Sequence, residues 1–271
     1  MNFSRWFLFL FVLSAGFWLS SAVAQDPMVQ TPSNEELFRE GTNQYQGGKY
    51  VEAAKSFEIL ARQEPDQPEL LLNWGLAEFQ AGRRGLAVGI WRRALTLNPS
   101  LSSAREALAF ATQALQLQDF NQTSLVGRLR NNVLAYVGFN QMMSVTLIFL
   151  ATGGWLLLGY FGKRRKALRQ ELPLPPFSWA GSLLTFAFMM SLLLTVLKGI
   201  ETTIPHATAT TMITARTAPD KTSSSLFELR EGSDVIVRQA KEGWSQVRHP
   251  GGMSGWVPNE TLFQTSGMPL W

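Results

Sequence analysis

Two uncharged apolar stretches, 142–161 and 177–197, bracket one basic cluster, Lys163-Arg164-Arg165-Lys166. No other feature constrains the chain as much. At about 1.5 Å per residue each stretch is about 30 Å long as a helix, which is the thickness of a bilayer core. No charged residue lies between Arg130 and Lys163, and none between Glu171 and Lys198. The expectation is a transmembrane hairpin: helix one at 142–161, a basic loop at 162–176 and helix two at 177–197. The loop carries five basic residues against the single acid Glu171, whereas the outer flanks offer only Arg128 and Arg130 before the hairpin and Lys198 after it. Short cytoplasmic loops retain Lys and Arg, so the loop is assigned to the cytoplasm and both large flanking segments to the outside.

The N-terminus reads the same way. Arg5 precedes an apolar run, 6–19, and then Ser20-Ser21-Ala22-Val23-Ala24. A charged start, an apolar centre and an Ala-x-Ala end describe a secretory signal at 1–24, with Gln25 first after cleavage. The chain has no Cys, so exported modules must hold together by packing alone. The net charge of +4 suggests nucleic acid only until it is divided. Residues 25–130 hold 11 basic and 12 acidic side chains, residues 198–271 hold 7 of each, and the surplus sits in the loop and at Arg5. The excess is a topology signal, and no nucleic-acid face follows from it.

The segment 34–101, within a domain read as 34–117, repeats itself. Gly41 recurs as Gly75, Gly48 as Gly82, Ala53 as Ala87, Phe57 as Trp91 and Pro65 as Pro99, each 34 residues later. This period, with small residues, an aromatic and a closing Pro in that order, resembles the tetratricopeptide repeat. The expectation is two helix pairs and a capping helix at 101–117. The resemblance implies a concave peptide-binding face built from the first helix of each pair, at Phe38, Arg39, Thr42, Leu72, Asn73, Leu76 and Phe79. The family's carboxylate clamp is not expected, because Glu35 and Glu69 stand where it uses Lys. The alternative is that these side chains pack against the capping helix. Arg83-Arg84 and Arg92-Arg93 read as solvated faces. The bridge 118–141 has Leu125, Leu129, Val133 and Val137 at four-residue spacing and reads as an amphipathic linker.

From about residue 208 the texture changes to β-branched runs between Gly and Pro turns. Val235-Ile236-Val237, Gly243-Trp244, Gln246-Val247-Arg248 and Gly255-Trp256-Val257 follow in order. This order resembles the bacterial SH3 domain, a small all-β barrel, over 208–264. Trp244 and Trp256 are the candidate surface residues of a protein- or peptidoglycan-binding module. The alternative places both in the barrel packing.

No catalytic, cofactor-binding or metal site is expected. His206 and His249 have no partner at metal-ligand spacing, and no G-x-S-x-G or phosphate-binding loop is present. The fold class expected is thus a multi-domain membrane protein: all-α tetratricopeptide repeat domain, two-helix transmembrane hairpin, small all-β SH3-like barrel. That order of parts resembles the BatE proteins of bacterial aerotolerance operons. The resemblance implies a non-enzymatic scaffold in the bacterial inner membrane with both outer domains periplasmic. Its partners would be membrane proteins carrying von Willebrand A-type domains. The alternative is a peptidoglycan binder or sensor acting through the SH3 domain.

Overall fold

A computed structural model describes residues 33–117, 134–176 and 179–267. The expected signal at 1–24, most of the bridge and the first two residues of the second apolar stretch lie outside the described residues.

Five helices make the N-terminal region: α1 (Asn34–Gln46), α2 (Tyr50–Gln63), α3 (Pro68–Gln80), α4 (Arg84–Leu97) and α5 (Ser102–Ala114). Each packs on the next. The 34-residue period has a physical origin. A Cβ on Gly41 would lie 3.0 Å from the Phe57 ring, and one on Gly75 would overlap the Trp91 indole. The same helix-to-helix approach therefore occurs twice in one register. Around it Ala53, Phe57, Leu60, Leu71, Trp74 and Ile90 form the main core. A second cluster of Ala87, Val88, Trp91 and Ala111 joins α4 to α5.

The turns carry the period further than the sequence comparison did. Gly48 and Gly82 follow α1 and α3 with φ of 75° and 88°. Their amides donate to the Tyr45 and Phe79 carbonyls, and the next amides, of Lys49 and Arg83, donate to Gln44 and Glu78. A left-handed residue closing a helix in this way spares its last carbonyls. After α5 the same pattern returns at Gln116, with φ of 50° and with Leu117 donating to the Thr112 carbonyl. Positions 48, 82 and 116 are one period apart, so a third unit begins on schedule with Gln in place of Gly.

After a single 3-10 turn (Leu134–Tyr136) come α6 (Phe139–Arg169) and α7 (Trp179–Thr203), each long and apolar enough to cross a membrane. Only 11% and 6% of their most apolar windows are buried, so the rest of the chain does not cover them as it would core helices. They pack on each other, with Gly153 facing Leu184 and Thr146 Oγ1 lying 2.7 Å from Ser191 Oγ and 2.9 Å from Thr195 Oγ1. Hydroxyl pairs of this kind hold apolar helices in register. Helix α6 does not stop where hydropathy stops. It continues through Lys163–Arg169, because cations are favourable beside unpaired C-terminal carbonyls. It ends before Glu171, at φ of 53°, and Pro173, which cannot continue a helix. The expected loop is therefore part helix and part proline-rich connection.

Seven strands follow: β1 (His206–Ala209), β2 (Ile213–Arg216), β3 (Ser225–Leu229), β4 (Asp234–Lys241), β5 (Trp244–Arg248), β6 (Ser254–Pro258) and β7 (Leu262–Ser266). All pairings are antiparallel, in the order β3-β2-β6-β5-β4-β1-β7. Alternate residues such as Val235, Val237, Val247 and Val257 point inward with Ala207, Ala215 and Leu229 to form a separate core.

Left-handed backbone costs a side-chain-bearing residue about 1 kcal/mol that Gly does not pay. Gln116→Gly is accordingly expected to raise the thermal midpoint by about 2–4 °C, measured by calorimetry. An unchanged or lower midpoint would count against Gln116 as the closing residue of a third unit.

Candidate functional site

Helix α4 presents two faces. One carries Ala87, Ile90 and Ala94, which serve the helical cores. The other carries Gly85, Val88, Gly89 and Arg92, at helical spacings of three and four, and it meets the sheet. A Cβ on Gly85 would lie 2.5 Å from the Thr210 carbonyl oxygen and 2.9 Å from that of Ala209. One on Gly89 would lie 3.0 Å from the Phe263 ring and 3.2 Å from Thr208 Cβ. Thr208 and Phe263 are register partners on β1 and β7, so one side of that strand pair lies flat on the helix.

Arg92 closes the seam. Its Nη1 donates to Thr208 Oγ1 at 2.8 Å and to the Gly232 carbonyl at 2.7 Å. Thr208 is fully buried. The reading of Arg92 as a solvated residue is therefore corrected: the sheet arrives from more than a hundred residues away and covers it. Two further contacts widen the seam. The Phe263 ring meets Trp74 edge-on at 5.9 Å, and Leu115 and Leu117 reach the backbone at Gly232.

Beside the seam lies a groove of about 890 Å³. Its apolar residues include Leu71, Trp74, Leu86 and Phe263, and α2 supplies Lys55, Glu58 and Arg62 to it. Glu78 lies among them, 2% exposed, and is held by Trp74 Nε1–H at 2.9 Å and by an ion pair with Arg83. A buried carboxylate paired with one guanidinium and hydrogen-bonded by an indole N–H is a structural anchor.

The expected concave residues separate into two sets. Leu72, Leu76 and Phe79 pack among Ala107, Leu108 and Trp91, and Phe79 also meets Phe110 at 5.8 Å. Phe38 and Arg39 stay exposed, and Thr42 and Asn73 are half-buried, with Thr42 donating to the Phe38 carbonyl. In the sheet, Trp256 is buried between its cross-strand neighbours Arg216 and Gln246, whereas Trp244 is half-exposed beside Pro258. Among the described residues no cluster of three or more His, Asp or Glu could hold a metal ion.

With this geometry in place, comparison with known families is informative for one part of the chain. Residues 209–263 match the family model described as the bacterial SH3 domain. The C-terminal sheet is thus a bacterial SH3 domain, seated on a helical N-terminal region and reached through two apolar helices. No curated protein and no solved structure matches the chain.

The sequence reading missed Gly85, Gly89 and Arg92. A weak signal existed. Glycine costs a helix interior about 1 kcal/mol, and two of them one turn apart mark a close approach by something else.

The seam and the SH3 domain each yield an expected outcome. Gly85→Val pushes side-chain atoms into backbone carbonyls that cannot yield, at a cost of about 3 kcal/mol. Hydrogen exchange should then show β1 and β7 losing protection while α1 to α3 keep theirs. At the other end of the domain, burial pushes the His249 imidazole below its ordinary value. The folded domain then binds fewer protons than the unfolded chain below about pH 6.5, so stability is complete above that value and declines as pH falls toward the lower folded pKa. Thermal unfolding followed from pH 7.5 to pH 5 should show this decline, and His249→Gln should flatten it.

Proposed function

We propose that the protein is a non-enzymatic scaffold of the bacterial inner membrane. In this reading α6 and α7 span the bilayer, the cluster Lys163–Arg169 lies in the cytoplasm, and the helical region and SH3 domain act together in the periplasm. The observation that carries it is the seam. Helix α4 contacts β1 and β7 directly, which supports a placement of both domains on one side of the bilayer that the hairpin crosses in this reading. An even number of spans and a basic turn between them agree with that arrangement.

The five helices are read as tetratricopeptide repeats, supported by the recurring Gly–aromatic contact and by turns at one period. The order of parts is similar to BatE proteins, which suggests membrane partners with von Willebrand A-type domains. Two weak sites fixed on one body act at high effective concentration toward a partner that touches both. Phe38 and Arg39 are the residues to test, because Leu72 is needed for packing.

A second reading, peptidoglycan binding, is favoured by the SH3 match and by the half-exposed Trp244. It is examined with the full-length protein and purified sacculi, because the isolated domain would expose Phe263 and Thr208.

Affinity purification of the tagged full-length protein from native membranes in mild detergent, followed by mass spectrometry, should recover membrane proteins with von Willebrand A-type domains. Phe38→Ala with Arg39→Glu should cut that recovery by about tenfold in a protein that stays folded, its thermal midpoint lowered only slightly by loss of the edge contact of Phe38 with Phe57. Undiminished recovery with the folded double variant would reject the repeat face. Recovery of the protein alone, together with Trp244-dependent sedimentation with sacculi, would favour the second reading.

A further inference from the structure

A second cavity, of about 1270 Å³, opens where the hairpin meets the outer domains. Its wall includes the first turn of α6 at Phe139–Gln141 and the last turns of α7 at Lys198, Glu201 and Thr202. If α6 and α7 cross a bilayer, that wall stands at the level of lipid headgroups. The remaining walls are the end of α4 from Arg92 to Leu97 with the turn after it, α5, the 134–136 turn and the SH3 domain.

Most charges in the cavity are already engaged. Arg105 stacks on Tyr136, its Cζ 3.9 Å from the ring centroid, and donates to the Ala135 carbonyl. Lys198 Nζ lies 3.6 Å from Glu201, and His206 Nδ1 lies 3.2 Å from Asp234. The Arg105 contact joins α5 to the 134–136 turn, whereas the other two pairs lie within α7 and within the SH3 domain.

Glu228 and Arg230 differ. Both line the cavity and both are exposed. Glu228 is on β3 and Arg230 directly follows it, with the buried Leu229 between them, so the two lie about 7 Å apart along the chain direction. The wall therefore offers a carboxylate and a guanidinium one strand repeat apart.

We propose that this cavity holds the headgroup of a zwitterionic phospholipid of the phosphoethanolamine type. The Arg230 guanidinium donates to the phosphate, for which its planar fork is suited, and Glu228 accepts from the ammonium. Four cations, Arg92, Arg105, Lys198 and Arg230, and three acids, Glu201, Glu228 and Asp234, line the space; a purely anionic headgroup is a poorer match because Glu228 stands beside Arg230, while Glu201 and Asp234 are paired with Lys198 and His206. The inference rests on the reading that α6 and α7 span a bilayer.

The test uses full-length protein in detergent, offered equal amounts of phosphatidylethanolamine and phosphatidylglycerol and examined by native mass spectrometry. The expected result is one retained phosphatidylethanolamine per chain, favoured about tenfold, with a similar loss in the Glu228→Gln, Arg230→Gln double variant. Both positions are exposed, so this variant leaves the fold intact. Equal retention of the two lipids, or a variant that retains lipid as the wild type does, overturns the proposal. Glycerophosphoethanolamine is the second probe: if it displaces the lipid at equal concentration, the acyl chains contribute nothing and the lipid source is overturned. Carbonate extraction separates the two levels. Release of the protein from native membranes overturns the spanning reading and this site with it, whereas a carbonate-resistant protein that retains no lipid overturns the site alone.

Discussion

The Arg92 guanidinium is the link that joins the helical region to the C-terminal sheet. It satisfies a hydroxyl and a carbonyl that the sheet brings into a buried place, at Thr208 and Gly232. Without it those groups would be desolvated with no partner, at a cost of 1–3 kcal/mol each by the usual scale of such losses. The glycines of α4 make the bond possible, because they let the strand pair approach the helix until the fork reaches. Phe263 then joins the helical core through Trp74. Two cores that would each be small become neighbours sharing one wall, which matters in a chain with no disulfides.

Much of this fold was legible in the sequence, and the reason is periodic repetition. A contact such as Gly75 on Trp91 demands a small residue and an aromatic at fixed spacing, so it leaves the same imprint wherever it recurs. The strands were legible for a similar reason, since alternate inward Val residues fall between glycine turns. The third unit was harder to see because its closing residue is Gln116. Only the backbone there shows that the left-handed turn persists after its usual residue has gone. The extent of α6 was hidden differently. Hydropathy measures affinity for lipid, whereas the helix end is set by hydrogen bonding, cations and Pro173.

The candidate site was less legible because its contacts are remote in the chain. Arg92 meets Thr208 across 116 residues and Gly232 across 140. Nothing near Arg92 distinguishes it from the neighbouring Arg93 except which side of the helix it occupies. The concave residues show the complementary limit. Leu72, Leu76 and Phe79 sit on the expected face, yet α5 lies close enough to use them for packing. Periodicity assigns a face to a helix but does not say what will cover it.

Only Ile204 and Pro205 separate the last residue of α7 from the first strand of the SH3 domain. Two residues reach at most about 7 Å, and Val237 donates to the Pro205 carbonyl, tying even that short piece down. A domain on a long linker searches a hemisphere of volume. This one has a set altitude and a set heading. Any partner must bring its own contact surface to that position and orientation, and rotation of α7 about its axis would turn the sheet and the helical region together like a key on its shaft.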